Sequence, residues 1–146
     1  MKQHQLIVVF DGQQKIAEKL QHAIPDLELP WRIESHDNLE SAFQLLEVNL
    51  EQHSPSPDLI LVDATLPNLA AFDFLYCAKK HSFFQDIPII LLGDNSDKDK
   101  RSICYHFHGN AFCKMPDTPA ETYSLAKCLN DFWMITPQLE TAVANQ

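Results

Sequence analysis

Three short apolar runs, Leu6 to Phe10, Leu59 to Val62 and Ile87 to Leu92, constrain this chain more than any other feature. They are rich in Val, Ile and Leu and do not alternate with polar residues, the pattern of strands covered on both faces. Helical spacing lies between and after them. Ile16, Leu20, Ala23 and Ile24 mark one amphipathic stretch, and Leu39, Ala42, Phe43, Leu45, Leu46 and Leu50 mark a second. Phe72, Leu75, Tyr76 and Lys79 mark a third, Ile103, Tyr105 and Phe107 a weaker fourth, and Tyr123, Leu125, Ala126, Leu129, Phe132 and Trp133 a fifth. Asp37 with Glu40 and Thr118 with Glu121 read as capping boxes, the latter with Pro119 at the first helical position. Trp31 to His36 alternates as an edge strand does, and Ala111 to Lys114 suits a short fifth strand. Strand and helix thus alternate five times. Right-handed crossovers turn that order into an α/β, doubly wound (βα)5 three-layer sandwich around a parallel sheet.

Sheets of this kind bind ligands at the carboxyl ends of their strands. The chain has only three glycines, Gly12, Gly93 and Gly109, so neither a GxGxxG nor a Walker A phosphate loop can be written. The strand ends carry acids instead, Asp11 after the first run and Asp63 after the second. Two converging carboxylates suit a hard cation such as Mg²⁺. Asp11 has a second reading, because with Gln14 three residues on it also fits the N-cap of a helix.

Composition narrows the function classes. At 146 residues and 45% hydrophobic content, one domain with a proper core is expected over residues 1–134. Glu51 to Pro57 reads as a loop and residues 135–146 as a tail interrupted by Pro137. Twenty acidic against 11 basic residues give a net charge of −9, which repels phosphate backbones and anionic lipid, so no nucleic-acid partner is expected. No apolar run approaches the roughly 20 residues that span a bilayer, and the polar start does not read as a signal peptide. A cytoplasmic protein without membrane contact is the expectation. Cys77, Cys104, Cys113 and Cys128 lack a CxxC pair and read as reduced thiols, and the seven histidines show no metal-ligand spacing.

The segment Asp58-Leu-Ile-Leu-Val-Asp63-Ala-Thr-Leu-Pro67 resembles the third strand and following loop of response-regulator receiver domains. The resemblance runs from Leu6 to Met134, and the final helix, ending Asn130-Asp-Phe-Trp-Met134, is similar to that of small stand-alone receivers that partner phytochromes. It implies a flavodoxin-like strand order 2-1-3-4-5, two-component signalling rather than enzymatic turnover, and a histidine kinase or other signalling protein as partner. By the same resemblance Asp63 is the phosphoacceptor, and Mg²⁺ is held by Asp11, Asp63 and the Thr65 backbone carbonyl.

Several positions depart from the family pattern. The acidic pair after the first strand reads Phe10-Asp11, the hydroxyl residue ending the fourth strand is Gly93, and the lysine ending the fifth is Met115, with Lys114 one place early. The loop after Asp63 has Ala70-Ala71 where an Asp-Gly pair is usual. One lost donor or charge in a phosphoryl-transfer site costs on the order of 3 kcal/mol in the transition state. Phe10 makes the metal site drier and poorer in charge, so Mg²⁺ is expected to bind weakly or not at all. Lys114 as a substitute cation must turn back from the opposite face of its strand. Phe112 keeps the aromatic of the family's switch, but Gly93 has no side chain for it to follow. Two readings stand: a degenerate pseudo-receiver acting through protein contacts, and a working phosphoacceptor at Asp63. Tyr105, Tyr123, Phe132 and Trp133 are too many aromatics for one helix stripe to bury, which points to an interface and a homodimer.

Overall fold

The computed structural model describes residues 5–39, 42–53 and 56–134. Strands β1 (Gln5–Phe10), β2 (Trp31–His36), β3 (Leu59–Asp63), β4 (Ile89–Gly93) and β5 (Ala111–Lys114) alternate with helices α1 (Ile16–Leu27), α2 (Ala42–Glu51), α3 (Ala70–Lys80), α4 (Lys98–His106) and α5 (Pro119–Leu129). A π-helical turn, Asn130–Met134, follows α5. All neighbouring strands are parallel, in the order β2-β1-β3-β4-β5. This is the doubly wound sandwich expected from the strand pattern.

Successive residues of a strand point to opposite faces, and here both faces are apolar. Leu6, Val8, Phe10, Ile60, Val62, Ile89 and Leu91 pack in one layer with residues of α2, α3 and α4. Ile7, Val9, Leu59, Leu61, Ile90 and Leu92 pack in the other with α1 and α5. Strand starts are completed by side chains. Asp58 Oδ2 accepts the Leu6 amide at 2.8 Å, and Asn110 Oδ1 accepts the Ile89 amide at 2.9 Å. Lys79, at the end of α3, donates to Asn110 Oδ1 (2.8 Å), the Ile87 carbonyl (2.9 Å) and the Gln85 carbonyl (3.2 Å). Burial holds the Lys79 ammonium below the usual lysine pKa, against the pull of Asp86. Lys79→Met removes the donor shared by three oxygens and is expected to cost about 1–2 kcal/mol, read from the urea midpoint. An unchanged midpoint would show that water replaces the ammonium.

Boundaries differ from the sequence pattern where backbone groups run out of partners. The run from Ile87 becomes a strand only at Ile89, because Pro88 has no N–H and the Ile87 amide closes a turn onto Phe84 O at 3.1 Å. Helix α2 continues through Glu51, where a loop was expected. Helix α4 starts earlier than its apolar spacing suggests, with Asp97 accepting the Lys100 amide, and Phe107 lies beyond its end. Thr118 caps α5 as expected, its hydroxyl accepting the Glu121 amide at 3.1 Å, while Glu121 reaches back to the Asp117 amide at 2.9 Å. Glu40 of the first capping box, Ser54 and Pro55 of the expected loop, and the tail 135–146 lie outside the described residues.

The cysteines are free thiols. Cys104 is buried, and burial, with Cys113 nearby, pushes its pKa up to about 11. Among the described residues no helix is long and apolar enough to cross a membrane.

Candidate functional site

Phe10 and Val62 are register partners on β1 and β3, so Asp11 and Asp63, each one residue further on, reach the same carboxyl edge of the sheet. Both carboxylates are buried. Asp63 Oδ1 accepts the Thr65 amide at 2.8 Å and the Thr65 hydroxyl at 2.6 Å. Asp63 Oδ2 is buried and has no hydrogen-bond partner. Such an orphan is costly in a structural role, and a carboxylate oxygen held this way keeps its lone pairs uncommitted.

Asp11 is engaged differently. Its Oδ1 accepts the Gly12 amide and its Oδ2 the Ala17 amide, both at 3.0 Å. The capping box with Gln14 does not form. Lys15 takes a left-handed conformation (φ 55°), α1 begins only at Ile16, and Gln14 stays exposed in the turn. Asp11 therefore serves the first turn of α1 from six residues away, placing a negative charge where the helix dipole favours it.

The altered positions have all been absorbed into packing. Phe10 is fully buried, its ring 5.1 Å from Phe74 and 5.7 Å from His36. Met115 is buried in the α1 and α5 layer. A Cβ placed on Gly93 would lie 3.1 Å from Phe112 Cζ and 3.2 Å from Ala64 Cβ, so the Phe112 ring fills the space a side chain at 93 needs. The Phe112 amide donates to the Tyr105 hydroxyl at 3.2 Å, tying the edge strand β5 to α4. Lys114 does not turn back toward Asp63: its ammonium contacts Glu121 and lies 3.4 Å from Asp117, and the Glu121 carboxylate raises its pKa.

The four aromatics expected to form one interface differ in exposure and packing. Tyr123 bonds through its hydroxyl to Asp26 of α1, and it and Trp133 pack against the α1 and α5 layer. Tyr105 lies on α4, and it and Phe132 are the exposed members of the set, at 51% and 66%. A helix stripe predicts exposure but not which neighbour folds over it.

A receiver-type site implies a divalent ion, and the donors present do not fit one as arranged. Both Asp11 oxygens accept backbone amides, Asp63 Oδ2 is enclosed, and a phenyl ring replaces the third acid. Among the described residues no group of three or more His, Cys, Asp or Glu converges.

Two residues of this site escaped the sequence reading. A Cβ on Gly12 would lie 3.2 Å from Asp63 Oδ2 and 2.9 Å from Leu66 Cδ2, so Gly12, Leu66 and the carboxylate border one tight space. A glycine directly after a strand-end acid was the available signal, since close approach favours a residue without Cβ. Leu66 carries no signal, because a lone leucine in a loop reads as ordinary.

No family model matches the chain. Over 106 residues it is 25% identical to the response regulator Rcp1 of Synechocystis sp., covering 73% of this chain and 72% of that protein. The fold matches the phosphorylated cyanobacterial phytochrome response regulator RcpA with a TM-score of 0.78 at 21% identity, covering 91% of this chain and 96% of RcpA. It matches the Mn²⁺-bound form of Rcp1 with a TM-score of 0.74 at 18% identity, covering 88% and 94%. Response regulator RPA3017 of R. palustris, in red light signaling, aligns with a TM-score of 0.77 at 15% identity over 89% and 94%. With the strand-end aspartates and the β2-β1-β3-β4-β5 sheet, the chain has the fold of response-regulator receiver domains and is similar in sequence to Rcp1.

Proposed function

We propose that this receiver is a pseudo-receiver, a non-enzymatic signalling domain set by protein contacts rather than by phosphorylation. The observation that carries the reading is the fate of the cation. Met115 occupies the usual lysine position inside an apolar layer, and Lys114 is held by Glu121 and Asp117. In-line transfer to a carboxylate needs that charge to offset the incoming phosphoryl oxygens. The readout is equally constrained, because Phe112 already fills the space at Gly93 and a switch needs two states that a ligand contacts differently. Output then passes through surface contacts with a sensor kinase, another signalling protein or a second copy, with Tyr105 and Phe132 as exposed anchors.

One observation favours a working phosphoacceptor, the uncommitted Oδ2 of Asp63. Incubation with acetyl phosphate and Mg²⁺, followed by intact mass, separates the two. No adduct is expected. A stable adduct that disappears in Asp63→Asn overturns the pseudo-receiver.

A further inference from the structure

We infer that Leu66 is a gate residue that controls access to the Asp63 carboxylate, hinged on the turn Pro67–Leu69. The inference stands on the enclosure of the Asp63 carboxylate and holds whether or not Asp63 accepts a phosphoryl group. Asp63 is 1% exposed although it stands at a strand end beside an exposed Thr65. Its Oδ2 faces Gly12, over which Leu66 Cδ2 lies so closely that a methyl group on Gly12 would meet it at 2.9 Å. Leu66 is only partly buried and packs against the α2 and α3 layer, and its Cδ2 and Asp63 Oδ2 border the same space beside Gly12. The enclosure leaves a carboxylate oxygen without hydrogen bonds, a closed state that costs free energy to hold.

The chain just after Leu66 shares that cost. Asn68 (φ 60°, ψ 27°) and Leu69 (φ 55°, ψ 30°) are consecutive left-handed residues, and for leucine this conformation is unfavourable by roughly 1–2 kcal/mol. Leu69 also projects its apolar side chain into solvent. Swinging the turn away would relieve the backbone and hydrate Oδ2, at the expense of the Leu66 contacts. A closed form balanced by these opposing terms is a two-state element that a bound partner can bias.

The test labels carboxylates with a water-soluble carbodiimide and glycine ethyl ester, locating the amide by peptide mass, with no phosphate or metal present. Asp63 in the native protein is expected to react at least tenfold more slowly than the exposed Asp99. Leu66→Ala is expected to remove most of that difference, and Leu66→Met, which keeps the cover, to preserve it. Leu75→Ala deletes a fully buried leucine of α3 and controls for general loosening. The gate is overturned if native Asp63 reacts as fast as Asp99, if Leu66→Ala leaves the rate unchanged, or if Leu75→Ala raises it equally. Labelling and phosphodonor results are separable. An acetyl phosphate adduct overturns the pseudo-receiver reading alone, and Leu66-independent labelling overturns the gate alone.

Discussion

Phe10→Ala is expected to lower the unfolding free energy by about 3–5 kcal/mol, the usual cost of deleting a buried phenyl ring. Phe10 is fully buried and stacks at a tilt on Phe74, a geometry that adds about 0.5–1.5 kcal/mol to area burial. Since a domain of this kind is stable by only about 5–15 kcal/mol, the urea midpoint should fall steeply. The more informative variant is Phe10→Asp, which places an acid where the resemblance to receivers implies one. At this position the new carboxylate would enter the apolar layer among Val8, Val62 and Phe74, so it should destabilise at least as much as alanine. Phe10→Asp with native stability would show that the carboxylate turns out to the sheet edge and that the ring is dispensable. The expected outcome means that packing against Phe74 holds an apolar residue at this position.

Gly93→Thr, the other change back to the family pattern, is expected to cost about 1–3 kcal/mol by overpacking. The threonine Cβ meets Phe112 Cζ and Ala64 Cβ at 3.1 and 3.2 Å, and neither neighbour is a flexible chain end. Phe112→Ala alone should also destabilise, by opening a cavity under β5. Combined, the two should cost less than their sum by about 0.5–3 kcal/mol, because the cavity takes the threonine. Additive costs in the double-mutant cycle would show that the ring does not occupy the side-chain space at 93. The same cycle reports on the switch, since a hydroxyl at 93 and an inward Phe112 compete for one volume.

Much of the fold was legible because burial on both faces leaves a simple mark. Uninterrupted Val, Ile and Leu runs such as Leu59 to Val62 have few alternatives in a chain of this size, and the helices between them must cover the sheet. Thr118 and Pro119 placed the start of α5 for a local reason, since a cap is satisfied within one turn. Asp11 shows where local reasoning stops. Its spacing to Gln14 matched a capping box, yet Lys15 entered the left-handed region and the acid capped α1 from a distance instead. The aromatics expected at an interface show the same limit: Tyr123 bonds to Asp26 of α1, nearly a hundred residues away in the chain, and Trp133 packs against the α1 and α5 layer.

By itself the sequence determined the strands, their alternation with helices and which acids stand at the strand ends, because periodicity and burial are properties of each segment and its pattern. The substitutions Phe10, Gly93 and Met115 were also visible there, as residue types without consequences. Only the tertiary structure decided the consequences. Packing between elements seats Phe10 on Phe74 and fills the space at Gly93 with Phe112, and an exposed ion pair commits Lys114 to Glu121. The Phe10–Phe74 and Gly93–Phe112 contacts join segments distant in the chain, and excluded volume, unlike periodicity, leaves no trace in the order of residues.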